Sequence, residues 1–381
     1  MRRLSRPPRR LLAIGVLALV VLFGSAGLVL RVTRGGDSDE QPAGASSMLL
    51  AFAEYGPTSD RIYTSPAGDP ARRTLIDTVP HADGWGINPS PEPAGTLFAY
   101  TVLPPASAGR RDAPAELWSF DLATGNKTRL ARDADLLIAP VLSRDGSKLV
   151  YRASDGDGQA LVVVDLGTRL RTVLHRARTD FGMYPIGFDA DGAIIYASLS
   201  LTGTDVYRLV PGDAPALLFH ASDDIGRDWR LSPDGRSLSF LAPRVESERV
   251  VYRARVISLA GATERSLTTP NPIATEQYGP VWAPDGAGVT VGQEASTQGG
   301  QAVAVIALDG TVHSLPGPTR GFDVPLAWSE DGAYLAVRAF DGTNSAAPGN
   351  ATIVLIVVAD GERVPITTGT ELIFIGWIGR A

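Results

Sequence analysis

The amino-acid sequence predicts an all-β fold made by repetition of one four-stranded unit. The first observation behind this prediction is composition: 41 glycines and 28 prolines among 381 residues indicate many turns and therefore many short strands. The second is a short motif that recurs at nearly constant spacing, and the third is the alternating apolar run that follows each copy. With 44% hydrophobic and 20% charged residues, the chain has the composition of a folded globular protein.

The recurring motif consists of a large apolar residue, two further residues, Asp-Gly and an alternating apolar run. The five copies read LSRDGSKLVYRA, FDADGAIIYAS, LSPDGRSLSFLA, WAPDGAGVTVG and WSEDGAYLAVRA. Their glycines are separated by 46, 43, 51 and 46 residues and are Gly146, Gly192, Gly235, Gly286 and Gly332. A degenerate copy, PEPAGTLFAYTV, places Gly95 51 residues before Gly146. This spacing indicates an internal structural repeat.

Each repeat predicts two hairpins. Asp-Gly between two apolar runs is typical of a type I′ turn, in which both central residues have positive φ. The aspartates of the motif are therefore interpreted as turn residues rather than as a cation site; they are Asp145, Asp191, Asp234, Asp285 and Asp331. A second pair of apolar runs around a turn follows, as in ALVVVDLGTRLRTVL. Four antiparallel strands in about 47 residues are the period of a β-propeller blade.

The two ends of the chain predict a closed ring. Residues 48–54 are predicted as a second strand, and the segments RIYTS and ARRTLID follow as third and fourth strands. The missing first strand is predicted at residues 371–378, ELIFIGWI, where Trp377 takes the position of Trp328 in its repeat. Pairing of these two ends removes the exposed sheet edge of an open array. Residues 48–381 number 334, or about 48 residues for each of seven blades; six blades are the alternative.

The repeats resemble those of TolB-like and WD-type bacterial propellers. The resemblance is carried by the signature xSPDGxxLxF, found here at Ser232-Pro233-Asp234-Gly235 with Leu238 and Phe240, and it covers about residues 48–381. It implies the fold and leaves the function open, because such repeats also occur in peptidase propeller domains, lyases and scaffolds. TolB itself carries an additional N-terminal α/β domain, so its role in the cell envelope is not transferred to this chain.

A membrane anchor is predicted at the N-terminus. Residues 1–10 form a basic tail with five arginines, residues 11–30 carry no charge, and residues 31–47 are predicted as a flexible stalk before the propeller at residues 48–381. Five arginines precede the apolar segment and two follow it, which places the N-terminus in the cytoplasm and the propeller outside it. The alternative is a cleaved signal peptide, whose apolar core is usually shorter. The sequence therefore predicts a single-pass protein of the cell membrane.

Charge and residue types argue against several functions. Residues 35–381 hold 28 basic and 41 acidic side chains, and this net charge of −13 disfavours nucleic-acid binding. Cysteine is absent, and the four histidines have no metal-binding spacing. The sequence contains no nucleophile elbow, phosphate-binding loop or dinucleotide fingerprint. No catalytic residue, metal site or cofactor is predicted, and the chain is expected not to be an enzyme.

Loop lengths predict which side of the ring binds. Turns between first and second strands and between third and fourth strands are short, and their side is called the short-turn face. The remaining connections include the long segments 103–116, 242–250, 268–279 and 339–351, and their side is called the long-loop face. Long loops on a rigid scaffold tend to carry binding residues. The candidates at the channel mouth on this face are Trp85, Tyr184, Arg227, Asp228, Tyr278, Arg320, Asp323 and Glu371.

These observations predict a membrane-anchored, extracytoplasmic and non-enzymatic binding or scaffold module at the cell envelope. Its expected partners are an envelope protein, a peptide or a glycan on the long-loop face, and the membrane through residues 11–30. The alternative is an envelope enzyme, a glycan lyase or hydrolase, with carboxylates in the channel mouth. Two acids and an arginine within about 10 Å of one another would favour that alternative.

Overall fold

A computed structural model describes residues 48–107, 110, 113–154, 158–178, 181–246, 249–267, 276–295, 299–367 and 370–379. These residues contain 28 strands, numbered β1 to β28 in chain order, and a single 3-10 turn at Pro105–Ser107. No helix within these ranges is long and apolar enough to cross a membrane. The predicted basic tail, membrane helix and stalk lie outside the described residues. The all-β prediction is confirmed.

One antiparallel sheet joins the two ends of the domain. In spatial order it contains β28 (Leu372–Ile378), β1 (Leu49–Glu54), β2 (Ser59–Pro66) and β3 (Thr74–Pro80). Strands β1 and β28 pair along their whole length, from Leu49 opposite Ile378 to Glu54 opposite Leu372. The prediction that a C-terminal strand completes the N-terminal unit is confirmed.

The next sheet has eight strands in two groups of four. Its members are β4 (Asn88–Pro89), β5 (Leu97–Val102), β6 (Ala115–Asp121), β7 (Lys127–Ala134), β8 (Val141–Leu142), β9 (Lys148–Ser154), β10 (Gln159–Asp165) and β11 (Arg171–Ala177). Within each group, consecutive strands pair antiparallel. Ala134 of β7 pairs with Ala153 of β9, and this residue pair joins the two groups.

Four further sheets each contain four consecutive strands. The first two consist of β12 (Gly182–Phe188), β13 (Ile194–Ser200), β14 (Gly203–Leu209) and β15 (Ala216–Ser222), and of β16 (Arg227–Leu231), β17 (Ser237–Glu246), β18 (Arg249–Ser258) and β19 (Glu264–Ser266). The last two consist of β20 (Gln277–Trp282), β21 (Gly288–Gln293), β22 (Ala304–Ala307) and β23 (Val312–Ser314), and of β24 (Phe322–Trp328), β25 (Tyr334–Phe340), β26 (Ala351–Val357) and β27 (Arg363–Pro365).

The core lies between neighbouring groups of strands. Buried apolar side chains of the described residues form seven clusters, and each cluster is shared by two successive groups of four strands. Strand β1 shows the principle, because Leu50 and Phe52 pack with β24–β26 whereas Ala51 and Ala53 pack with β5 and β6. Alternate residues of a strand point to opposite faces, and here both faces are covered. The last cluster returns to the first sheet, so the array of sheets is closed.

The motif hairpins differ from the predicted turn type. The motif glycines have φ between 66° and 80°, but the preceding aspartates do not have positive φ, so the type I′ prediction is wrong. In the first copy the Gly146 N–H donates to the Ser143 carbonyl at 2.9 Å, which places the glycine in the left-handed conformation after the turn. The Asp145 carboxylate accepts from the Ser143 hydroxyl at 2.6 Å and from the Ser147 N–H at 3.0 Å. These hydrogen bonds, that of Ser143 first, lower the pKa of Asp145 to about 2.

Candidate functional site

The innermost strands of all six sheets surround a cavity of about 790 Å³, called here the axial cavity. The large apolar residue of the motif and its equivalents line the wall; they are Leu142, Phe188, Leu231, Trp282, Trp328 and Trp377. The hairpin residues Arg144, Pro233 and Glu330 line it as well. The axial cavity therefore lies at the short-turn face, on the side opposite the predicted binding face.

Bulges in the innermost strands shape this cavity. Strands β12, β16, β20, β24 and β28 each contain a register shift against the neighbouring strand. A bulge bends the strand and redirects the residues that follow it. In β16 the shift lies between Arg227 and Arg230, and Asp228 has a φ of 57° within it. Trp229, Arg230 and Leu231, at the end of this bulge, line the axial cavity.

The tryptophans of the cavity wall are held by hydrogen bonds to protein atoms. Trp282 Nε1 donates to the Arg230 carbonyl at 3.1 Å, and Trp377 Nε1 donates to the Ala327 carbonyl at 3.0 Å. Trp328 Nε1 donates to the Thr290 hydroxyl at 2.8 Å. Each bond connects the tryptophan to the sheet that precedes its own. Because the polar edge of these rings is satisfied within the protein, they offer the cavity an apolar surface.

The charged side chains at the axial cavity differ in how they are bonded. Asp189 accepts from Arg208 Nε at 2.6 Å, and Asp234 accepts from the Ser232 hydroxyl at 2.5 Å. Arg230 is half-buried, and its Nη1 donates to the Trp229 carbonyl at 3.1 Å. Among the described residues, no carboxylate forms a salt bridge with Arg230. Arg230 is therefore a cationic group without a salt-bridge partner among the described residues, beside the apolar rings of the cavity.

The eight predicted binding residues are all described, and none of them lines the axial cavity. Arg227 and Tyr278 are brought together through Glu276, which accepts from Arg227 Nη2 at 3.0 Å and from the Tyr278 hydroxyl at 3.3 Å. Tyr278 is 5% exposed and its ring contacts Phe322 with 5.1 Å between centroids. The Arg227 guanidinium lies 3.9 Å from the centroid of the Tyr252 ring. This cluster links three successive sheets, those of β16, β20 and β24.

Three other predicted residues also contribute to packing. Asp323 is fully buried, and its carboxylate accepts from Arg363 Nη1 and Nη2 at 2.8 and 2.9 Å. Tyr184 stacks under the Arg152 guanidinium at 5.0 Å, and Trp85 packs against the core between β4–β7 and β8–β11.

The remaining predicted residues are exposed: Asp228, Arg320 and Glu371. Glu371 lines a second, smaller cavity of about 140 Å³, together with Arg338 and Thr352. The predicted long loop at 242–250 is not a loop in most of its length, because β17 extends to Glu246 and β18 starts at Arg249. Residues 242–246 and 249–250 therefore continue a hairpin, in which Val245 pairs with Val250.

A buried histidine–aspartate pair lies between the first sheet and the following connection. The side chains of His81 and Asp60 are both 0% exposed, and Nε2 of His81 is 3.2 Å from Oδ1 of Asp60. Nδ1 of His81 is 2.8 Å from the Ala82 carbonyl oxygen, so both ring nitrogens face acceptors and the arrangement favours the imidazolium. Burial lowers the pKa of His81, but the hydrogen bond to Asp60, the Ala82 carbonyl and the charges of Asp60 and Asp83 outweigh it, and the pKa is raised.

The His81–Asp60 pair should make stability depend on pH. Because the pKa of His81 is higher in the folded than in the unfolded chain, the pair stabilises fully below about pH 6.5 and loses its effect as pH rises through the folded-state pKa. We expect the difference in free energy of unfolding between the wild type and His81→Gln to shrink from about pH 6 to pH 9. Denaturant titrations at several pH values measure it. His175→Gln is the control: burial lowers the pKa of His175, so the difference in free energy of unfolding between the wild type and this variant should grow with pH. A difference for His81→Gln that stays constant with pH would contradict the His81–Asp60 pairing.

No group of three or more His, Cys, Asp or Glu side chains that could hold a metal ion occurs in the part of the chain that the structure describes. Comparison with family models and with curated protein sequences gave no match. Solved structures do match. Oligogalacturonate lyase from Vibrio parahaemolyticus aligns with a TM-score of 0.54 and 12% identity over 84% of this chain and 85% of that chain.

Two further solved structures show similar values. An oligogalacturonate lyase in complex with manganese has a TM-score of 0.53 and 15% identity, over 84% of this chain and 85% of its own. TolB from Acinetobacter baumannii has a TM-score of 0.48 and 17% identity, and the alignment spans 71% of this chain and 66% of the TolB chain. The feature shared with the two lyases at this identity is the fold. The β-propeller prediction is confirmed.

Proposed function

We propose that this chain is a seven-bladed β-propeller that acts as a non-enzymatic binding or scaffold module, and that a partner protein binds its long-loop face. The blade number is supported by five sheets of four strands and by the eight-stranded sheet, which divides into two groups of four. The described residues also form seven apolar clusters between successive groups of strands, as many as a ring of seven blades has interfaces. A closed ring of sheets is a rigid scaffold on which loops can be displayed.

The observation that carries the proposed function is the hairpin extension of β17 and β18, residues 242–246 and 249–254. Pairing of β16 with β17 ends at Leu241, and pairing of β19 with β18 ends at Arg255, so the extension continues beyond both neighbouring strands. Its direction follows from the chain: β17 starts at the short-turn face, so the extension lies at the long-loop face. It therefore carries strand edges whose backbone groups can pair with an added strand.

The side chains of the hairpin extension support a protein partner. Val245 is 75% exposed and Val250 is 45% exposed, and the two are direct cross-strand neighbours. Arg244 and Arg249 are exposed beside them. An exposed aliphatic pair with strand edges and positive charge suits an extended, acidic polypeptide segment better than a glycan, which would need polar groups that bond its hydroxyls.

The bonding of the cavity carboxylates supports binding rather than catalysis. Asp189 is bonded to Arg208, and Asp234 is bonded to Ser232 and to the Arg236 N–H at 3.0 Å. The bonds of Asp234 lie within its hairpin, and the hydrogen bond from the Ser232 hydroxyl, followed by that from the Arg236 N–H, lowers the pKa of Asp234. A general acid would need a raised pKa. The envelope lyase or hydrolase predicted as the alternative gains no support from these two carboxylates.

The location of the propeller is part of the proposal. Residues 11–30 would anchor the chain in the cell membrane with the N-terminus in the cytoplasm, and the propeller would lie outside the cytoplasm. N-terminal sequencing of protein extracted from membranes should find residues before Leu11 retained. A mature N-terminus near Ser46 in a soluble fraction would contradict the anchor.

The partner-binding face is tested with matched charge changes. In the full-length protein, Val245→Glu with Val250→Glu should abolish co-purification of a membrane partner that the wild type retains, because the acids repel an acidic segment and remove the aliphatic contact. Because both residues are exposed, the free energy of unfolding should change by no more than about 0.5 kcal/mol, and the melting temperature should change little. Lys148→Glu with Arg236→Glu, on the short-turn face, is the control and should retain the partner. The opposite result would place binding on the short-turn face.

A further inference from the structure

The axial cavity has the composition of a small-molecule site. Its volume of about 790 Å³ lies in the range of sites that enclose ligands of drug size. Four of the six tryptophans of the chain line it, Trp229, Trp282, Trp328 and Trp377. Trp229 is fixed by stacking on Phe240, with 4.5 Å between ring centroids and 17° between planes. The wall is therefore preorganised, and it presents flat apolar surfaces.

Arg230 supplies the polar anchor of this cavity. Its backbone is fixed, because the carbonyl oxygen accepts from Trp282 Nε1 at 3.1 Å and from the Ser239 hydroxyl at 3.4 Å. A guanidinium has five N–H donors, and the hydrogen bond that the described residues provide is the one from Nη1 to the Trp229 carbonyl. Two other arginines of the ring are bonded to carboxylates: the buried Arg152 to Asp135 at 2.6 Å, and the half-buried Arg208 to Asp189.

The charges at the mouth of the cavity restrict the ligand further. Glu92, Asp234 and Glu330 are exposed lining residues, and Arg144 is the exposed base among them. Asp189 is paired with Arg208, so it adds no net charge. The rim therefore has an excess of negative charge, which repels a polyanion. A ligand with one negative group can contact Arg230 in the wall while its uncharged body lies against the tryptophan rings of the wall.

We propose that the axial cavity binds an amphipathic monoanion, with an aromatic or other flat apolar body against the tryptophans and a carboxylate or sulfonate on Arg230. A bidentate contact is available to a carboxylate because the guanidinium fork matches its two oxygens. This site is on the short-turn face and is independent of the partner-binding face proposed above.

Calorimetric titration of the full-length protein tests this site with defined probes. The probes are 1-naphthylacetate, its neutral analogue 1-naphthylacetamide, and benzene-1,3,5-tricarboxylate as a flat trianion. We expect saturable binding of naphthylacetate, binding of the amide at least about tenfold weaker, since a hydrogen bond to a charged group contributes about 1.5–3 kcal/mol, and no binding of the trianion. Equal binding of the acid and the amide, tightest binding of the trianion, or no saturable binding of naphthylacetate would each overturn the proposal.

Two variants assign the anchor to Arg230. Arg230→Gln should weaken naphthylacetate at least about tenfold and leave the amide unchanged, whereas Arg230→Lys, which keeps the charge, should lose less. Arg236→Gln is the matched control, because Arg236 is exposed on the adjacent hairpin and does not line the cavity. An unchanged melting temperature of Arg230→Gln shows that the fold is retained; if that variant fails to fold, the comparison of acid with amide on the wild type decides. Equal loss for acid and amide would overturn the role of Arg230.

Discussion

Deletion of residues 371–381 should prevent the propeller from reaching its native stability. Strand β28 pairs with β1 over its whole length, and its side chains enter the clusters on both sides of the first sheet. Trp377 also bonds the Ala327 carbonyl of the neighbouring sheet. Without β28, the inner edge of β1 is exposed and the ring is open, so we expect aggregation or a melting transition many degrees lower. Differential scanning calorimetry of the full-length and shortened chains measures this.

The smaller change Trp377→Ala separates packing from strand pairing. Truncation of a buried tryptophan costs about 3–5 kcal/mol, because it removes apolar contacts and leaves a cavity, and here it also leaves the Ala327 carbonyl without this donor. Deletion of residues 380–381 alone, which lie after β28, is the control and should leave the melting temperature unchanged. A shortened chain lacking residues 371–381 that melts like the wild type would contradict closure by β28.

Arg363→Ala should destabilise the domain by about 3–5 kcal/mol, the usual cost of leaving a buried charge without its partner. Asp323 is fully buried, and both of its carboxylate oxygens accept from Arg363. Arg363 Nη1 also donates to the Pro316 carbonyl at 2.9 Å. The guanidinium therefore joins the loop that follows β23 to Asp323 in β24. Denaturant unfolding at neutral pH measures the loss.

A second ion pair provides the comparison. Arg255 and Glu264 also form a bidentate pair, but their side chains are 28% and 43% exposed. Exposed pairs contribute about 0–1 kcal/mol to stability, so loss of this ion pair in Arg255→Ala should cost much less than Arg363→Ala. Arg255→Ala also removes the hydrogen bond from Arg255 to the Ala221 carbonyl, which adds to its cost. The double variant Asp323→Leu with Arg363→Met should recover much of the loss, because no charge remains buried. Equal losses of unfolding free energy in Arg363→Ala and Arg255→Ala would show that the buried Asp323–Arg363 pair stabilises the domain no more than the exposed pair does.

Much of the fold could be predicted from the sequence because the repeat is local. The Asp-Gly motif sets one hairpin per unit, and the alternation of apolar residues sets which side chains enter each cluster. The pairing of β1 with β28 was predictable because both terminal units lacked strands. The turn type was not, because Asp-Gly is compatible with several hairpins. Ser143 and its equivalents Ser232 and Ser329 bond the aspartate of their turns, yet the same turn forms after Ala283, which has no hydroxyl.

The candidate site was harder to predict than the fold. The large apolar residue before each Asp-Gly can pack between sheets, as Trp282 does, yet the same ring lines the axial cavity. Bulges in the innermost strands decide which residues face the axis, and a bulge such as that around Asp228 leaves no clear pattern in a single sequence. Conversely, Tyr278 and Asp323 have the residue types of a binding site but are buried by the neighbouring sheet. The signal for Arg230 was its position beside Trp229 in an innermost strand.

Site-specific photocrosslinking in intact cells tests most directly whether the long-loop face binds the partner protein. A photoreactive phenylalanine analogue is placed at Val245 in the hairpin extension, and in a parallel chain at Arg236 on the short-turn face. Both positions are exposed, so the reagent is accessible in either case. The proposed function predicts a discrete covalent adduct of one partner from position 245 and none from position 236. An adduct from position 236 alone, or none from position 245 while the partner co-purifies, would contradict it.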